Sequence, residues 1–158
     1  AEWDIREDGR IVGVTEELSA QEIYEMGRKV ESFVIAKDTR MGHIHLSVKD
    51  SQLATAFYQD VLELADKFTI SSASWIASGD YHHHLAVNEW GGKNLAKRDK
   101  GMIGLAYYVL EVEDKEDLIT IAERAKNRGA EVKWLSSNAL IFEDNDGILT
   151  RVRKNINN

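Results

Sequence analysis

The sequence predicts an α+β fold built from two βαβββ modules that form a curled mixed sheet with helices outside. Three observations predict it. The triplet Val48-Lys49-Asp50 recurs 64 residues later as Val112-Glu113-Asp114, the mark of an internal repeat. Each triplet closes a β-like run and opens a stretch with a single apolar helical face. Each helical stretch is then followed by three short β-like runs set apart by turn residues.

Residues 1–41 lie outside the repeat and read as a linker or packing appendage. Within them Ser19-Ala20-Gln21-Glu22 is a capping-box pattern opening a short helix with Ile23, Tyr24 and Met26. The domain proper spans 42–154 and consists of modules 42–90 and 104–154. The first module opens with Gly42-His43-Ile44-His45-Leu46-Ser47-Val48 as a strand. Asp50 or Ser51 then caps a helix whose Leu53, Ala54, Phe57, Tyr58, Val61 and Leu62 share one face. Runs 67–71, 73–78 and 82–88 follow as strands. Segment 89–100 is polar, contains Gly91-Gly92 and reads as a surface loop. The second module opens with the run 104–112. Its helix presents Leu118, Ile121, Ala122 and Ala125, places Lys126 and Arg128 at the negative end of the dipole, and stops at Gly129. Runs 131–135, 139–142 and 148–153 complete it, with Asn145-Asp146-Gly147 as a hairpin turn.

A chain of 158 residues with 43% hydrophobic and 30% charged residues suits one globular domain. No apolar run approaches the ~18 residues of a membrane span, so no membrane partner is expected. With no Cys there is no disulfide, no thiolate zinc site and no Cys nucleophile. No basic region with an apolar run behind it marks a signal peptide, and a reducing, cytoplasmic setting is expected. A net charge of −7 argues against nucleic acid as a partner, because such binding runs on phosphate neutralisation. Nucleophile-elbow, P-loop and dinucleotide fingerprints are absent. Asp144-Asn145-Asp146-Gly147 starts like a calcium loop but lacks the closing Glu and reads as a turn. The basic run Lys93 to Lys100 reads as a solvated loop. Trp75 and Trp134 alternate within strand-like runs and read as core, Trp3 and Trp90 as core or rim.

All five histidines fall in two clusters, His43 with His45 and His82-His83-His84. In a strand alternate side chains share a face. His43 and His45 therefore point one way, and His82 and His84 point together with His83 opposite. Neutral imidazoles are good ligands for Fe(II), Zn, Ni and Mn.

The run Gly42-His43-Ile44-His45-Leu46-Ser47-Val48-Lys49-Asp50, followed by Phe57-Tyr58-Gln59-Asp60-Val61-Leu62, resembles the opening module of the vicinal oxygen chelate superfamily. That superfamily holds glyoxalase I, bleomycin-resistance proteins and extradiol dioxygenases. Arg128-Gly129-Ala130 and the turn Asp144 to Gly147 extend the likeness over residues 41–154. Gly79 to Trp90, with Tyr-His-His-His at 81–84, resembles the C-terminal half of bacterial two-half catechol 2,3-dioxygenases. So do Tyr107-Tyr108 and the leading segment with Trp3, Asp8-Gly9 and Leu18. The resemblance implies that this chain is one half of a longer protein, paired with an N-terminal half or as a homodimer.

It also implies metal ligands on the first and last strand of each module. Carried over, these are His43 and His84 in the first module, with Tyr107 where a His is usual and Arg151 where a Glu is usual. The cofactor implied is a divalent metal, Fe(II) in a dioxygenase. Tyr107 or Tyr108 would hydrogen-bond a substrate oxygen and His45 would act as acid or base. His82, Arg151 and Trp90 would contact the substrate, a small aromatic molecule or organic anion. The Arg at position 151 disfavours a glyoxalase-type isomerase. Three accounts stay open. A metal sits on His43, His84 and a third ligand such as His45, His82 or Glu111. Alternatively, the cup binds an organic anion without metal through Arg151, the histidines and Tyr107. In the third account the domain is a non-catalytic partner whose cup is filled.

Overall fold

The computed structural model describes residues 4–11, 13, 17–27, 32, 34–97, 99 and 101–155. Trp3, and Arg98 and Lys100 of the basic run, lie outside the described residues. The first element is α1 (Ala20–Met26). The first module follows as β1 (Ile44–Ser47), α2 (Ser51–Leu62), β2 (Ala65–Ile70), β3 (Ala73–Ala77) and β4 (Leu85–Asn88). The second is β5 (Tyr108–Val112), α3 (Lys115–Asn127), β6 (Val132–Ser136), β7 (Ala139–Glu143) and β8 (Leu149–Lys154).

The two modules repeat one topology. Each gives a four-stranded mixed sheet, in the orders β1-β4-β3-β2 and β5-β8-β7-β6. The first and last strands pair in parallel, as β1 with β4 and β5 with β8, and the remaining pairs are antiparallel. Parallel neighbours need a long crossover, and α2 with β2 and β3, or α3 with β6 and β7, supplies it.

Both helices start where their caps say. Asp50 Oδ1 accepts hydrogen bonds from the backbone N–H groups of Gln52 and Leu53, at 3.0 and 2.9 Å. In α3 the Asp117 carboxylate accepts from the Asp114 N–H at 3.2 Å, and Gly129 at φ +81° turns the chain out. Their apolar faces meet in one core. Tyr58, Val61, Leu118, Ala125, Leu140, Phe142 and Val152 are buried together with Leu46, Val48, Leu85 and Val87. The Phe57 and Phe142 rings lie 5.9 Å apart, and the Arg128–Asp60 and Arg124–Glu63 ion pairs tie α3 to α2.

Two strand expectations need correction, as does the reading of Trp134 as core, since it is 40% exposed. The run 82–88 is a strand only from Leu85, and the run 104–112 only from Tyr108. Gly79 at φ +62° and Asp80 make a turn, so Tyr81 to His84 belong to the connection between β3 and β4. The short helix α1 forms under its Ser19 cap but buries none of its residues, with Tyr24 and Met26 74% and 84% exposed. The part of the leading segment that does pack is Ile11, buried and bonded through its N–H to the Lys67 carbonyl at 3.0 Å.

Candidate functional site

Alternation along β1 sends Leu46 into the shared core and His45 to the opposite face. Register places His45 beside Ala86, Ala86 beside Trp75, and Trp75 beside Phe68, one row across the first sheet. His43 precedes β1, where the Ile44 N–H donates to the His84 carbonyl at 3.1 Å. That bond brings the start of β1 against the 81–84 connection.

Three imidazoles converge there. Ring nitrogens of His43, His45 and His83, one from each, all lie within 4.8 Å of one another. His45 Nε2 and His83 Nε2 stand 3.0 Å apart in a hydrogen bond. The His43 and His83 ring centroids are 4.2 Å apart, and His82 meets His43 edge-on at 5.2 Å. His83 is 8% exposed. Its burial, reinforced by His43 and the other neighbouring imidazoles, lowers its pKa to about 3. Desolvation also lowers His45, His82 and His84, His45 and His82 further through His43. His83 is therefore held neutral, and the shifts of His45, His82 and His84 favour the neutral imidazole, the form that ligates a metal.

The expected partner of His43 does not join it. The His84 ring turns the other way, stacks near Tyr81 at 4.8 Å, and accepts a hydrogen bond from the Ser78 N–H at 3.2 Å. It lines a groove of about 720 Å³ between the modules, together with Glu111, Asp117 and Arg124. Glu111 pairs with Arg153 at 2.6 Å. The parity argument failed because it assumed a strand through His82 to His84. In the turn that is actually there, His83 rather than His84 lies beside His43 and His45. The signal that could have found it is Gly79-Asp80, a turn dipeptide ahead of the histidine tract.

The other expected site residues are scattered. Tyr108 is buried, accepts a hydrogen bond from Thr150 Oγ1 at 2.8 Å, and has its pKa raised by burial, so its hydroxyl belongs to the core. Tyr107 sits just before β5 and is 45% exposed. Arg151 lies on the second sheet beside Val109 and Ile141, half-buried. Trp90 is exposed, 6.4 Å from the Trp75 ring. A second, smaller cleft of about 260 Å³ adjoins the histidines, lined by His45, Ser47, Leu95, Ala96, Leu105 and Ile148 among others. Leu95 and Ala96 thus belong to a cleft wall rather than to a purely solvated loop.

A family model described as the glyoxalase/bleomycin resistance protein/dioxygenase superfamily matches residues 40–152. The chain belongs to that superfamily. A relative is catechol-2,3-dioxygenase of Bacillus subtilis (strain 168), 32% identical over 133 residues. The match covers 83% of this chain and 47% of that protein, so this superfamily domain spans about half the length of the curated relative. Among solved structures, lactoylglutathione lyase from Agrobacterium tumefaciens superposes with a TM-score of 0.55 at 17% identity, covering 75% of this chain and 96% of that one. A glyoxylase/bleomycin resistance protein/dioxygenase domain from Frankia sp. EAN1pec gives 0.58 at 22% identity, covering 73% and 97%. The fosfomycin resistance protein FosX of Listeria monocytogenes, solved with Mn(II) and sulfate, gives 0.55 at 19% identity, covering 73% and 90%. These structures share the glyoxalase-like fold. No helix among the described residues is long and apolar enough to cross a membrane.

Proposed function

We propose that this chain is the metal-holding half of an extradiol-type dioxygenase that opens the ring of a small dihydroxylated aromatic compound in the cytoplasm. One observation carries the reading: the convergence of His43 and His45, from the start of β1, with His83 from the β3–β4 connection. The donor set fits a divalent ion. Two nitrogens each bound at about 2.1 Å and at right angles stand about 3 Å apart, and His45 and His83 are 3.0 Å apart. Imidazole ligands suit Fe(II), Zn, Cu and Ni, and Fe(II) is the ion proposed here. The ion would supply a Lewis-acid centre for the ligand oxygens and for dioxygen.

The chain's own residues do the rest. Burial keeps the His83 imidazole neutral. His82, packed edge-on against His43, is placed to exchange a proton with a ligand hydroxyl. Tyr107, Arg151 and Trp90 remain proposed ligand contacts, reached from the second module and the rim. The working unit is a homodimer or a pair with a further half. The Bacillus subtilis relative supports the choice of reaction.

The test is metal analysis of the purified protein and of four variants. Stoichiometric iron is expected in the parent and in His84→Ala, and its loss in His43→Ala, His45→Ala and His83→Ala. Full iron content in all three triad variants would overturn the reading. A second reading, a non-catalytic binding or structural half, draws on the His45–His83 hydrogen bond, which engages one nitrogen of each ring without any ion. It predicts no stoichiometric metal in any of the five proteins.

A further inference from the structure

Each four-stranded sheet has two edge strands, and three of the four edges have company. The edges of β1 and β5 turn toward the opposite module. Lys49, just past β1, donates its N–H to Asp146 at 2.9 Å, and β5 lines the intermodule groove together with Ser78 and His84. β2 is covered by the leading segment, whose Ile11 N–H donates to the Lys67 carbonyl at 3.0 Å. Among the described residues β6 pairs with β7 alone. We infer that β6 pairs antiparallel with β6 of a second copy about a two-fold axis at Trp134, so that the second-module sheets of two copies join into one. The inference names the surface for the homodimer in the function proposed above and is independent of the metal.

Three observations carry it. The first is the contrast between the two outer edges. An edge strand presents a row of unpaired N–H and C=O groups, which folded proteins blunt or cover. Both outer strands are bulged, at Lys67 between Asp66 and Phe68 in β2, and at Leu135 between Trp134 and Ser136 in β6. A bulged residue is left out of its ladder. In β2 the carbonyl of that residue is taken by Ile11. At Leu135 the described residues supply no such cover.

The second observation is that this flank is apolar. Trp134 and Leu135 are 40% and 44% exposed. Trp134 pairs in register with buried Leu140, so it stands on the α3 side of the sheet. Arg124 and Arg128 of α3 reach across to α2. Ile119 lies about two and a half turns before Arg128, hence on the opposite side of the helix, and is 43% exposed. Ile119, Trp134 and Leu135 thus lie on the flank of the second module that is turned away from the first.

The third observation is self-complementarity. A two-fold at Trp134 sets Lys133 opposite Leu135 of the second copy and Val132 opposite Ser136, so no like charges meet. Centring on Lys133 would set two lysines face to face, which is destabilising. The same axis runs the two α3 helices antiparallel. Glu116 in the first turn of one then lies toward Lys126 in the last turn of the other, an attraction of opposite charges. The assembly closes at two copies, because one patch serves both.

The experiment is sedimentation equilibrium of the full chain over a wide concentration range, with cross-linking of single-Cys variants, each unique because the chain has no Cys. The parent is expected to dimerise. Leu135→Lys sets lysine opposite Lys133 of the second copy and should weaken the dimer at least about tenfold. Leu135→Glu sets opposite charges together and should hold the dimer within about threefold of the parent. Both are compared at unchanged far-UV circular dichroism, which an exposed position allows. A short bis-maleimide should link Trp134→Cys into a covalent dimer and leave Ile70→Cys, on the covered edge β2, unlinked. A monomeric parent, a dimer that Leu135→Lys leaves as tight, equal weakening by Lys and Glu, or linkage at Ile70→Cys in preference to Trp134→Cys overturns the inference. Iron is measured on the same samples. Iron without the dimer would sink this inference alone, and the β6 dimer without iron would sink the metal reading alone.

Discussion

At the scale of single residues, the junction between the modules is decided by a buried polar network. Tyr58 Oη donates to Asp144 Oδ2 at 2.5 Å, and Asp144 Oδ1 accepts from the N–H groups of Asp146 and Ile148 at 3.0 and 2.8 Å. The carboxylate is satisfied yet buried, and desolvation raises its pKa above 3.8 despite the hydrogen bond from Tyr58. A raised folded-state value favours the protonated form in the native protein. The stability that Asp144 contributes is therefore fully present below the ordinary carboxylate range and is lost as pH rises through the raised value. Asp144→Asn removes that dependence. Urea midpoints measured across the acid-to-neutral range should show the parent protein losing ground to the variant as pH rises above 3.8. A constant gap would mean that Asp144 does not titrate differently in the folded state.

At the scale of elements, the caps and turns set where each helix and strand begins, and that placement builds the site. Asp50 satisfies two otherwise orphaned N–H groups of α2, so Asp50→Ala should cost about 1 kcal/mol by denaturant unfolding. The helix then breaks at Glu63, which takes a left-handed φ of 54° without being glycine. That break was not visible in the sequence, which offers no Gly there. The connection between β3 and β4 matters most. Alternation predicts faces only inside a strand, and the β4 ladder begins at Ile44 opposite Leu85. The histidine tract lies one residue outside it. His43 and His45 were legible as neighbours at the start of β1, whereas which of His82, His83 and His84 meets them was not.

At the scale of the whole molecule, two modules share one core and cannot come apart independently. Leu118 of α3 and Val61 of α2 are both fully buried in it. Leu118→Ala should destabilise by about 2–5 kcal/mol, the range for emptying a well-packed core position. Because the core is common, tryptophan fluorescence, with Trp75 and Trp90 in the first module and Trp134 in the second, should report the same shifted midpoint as far-UV circular dichroism. Two separate midpoints would mean that the modules unfold as independent units. The domain also joins parts far apart in sequence through Lys49 and Asp146 and through Lys97 and Glu143. Those contacts turn a loop of unremarkable composition into the wall of a cleft, and nothing in its local sequence says where it lands.

The repeat, both helix faces, the capping residues and the turn at Asp144 to Gly147 were written in the chain, because each follows from short-range spacing and backbone preference. Composition likewise excluded a membrane-spanning helix and thiolate chemistry. Only the folded molecule decided that His83 meets His43 and His45, that Tyr108 spends its hydroxyl in the core, and that Leu95 and Leu105 face His45. The physical reason is the same in each case. A side chain's neighbours depend on where its strand starts and what the opposite module brings against it, and those are long-range packing outcomes that local periodicity does not encode.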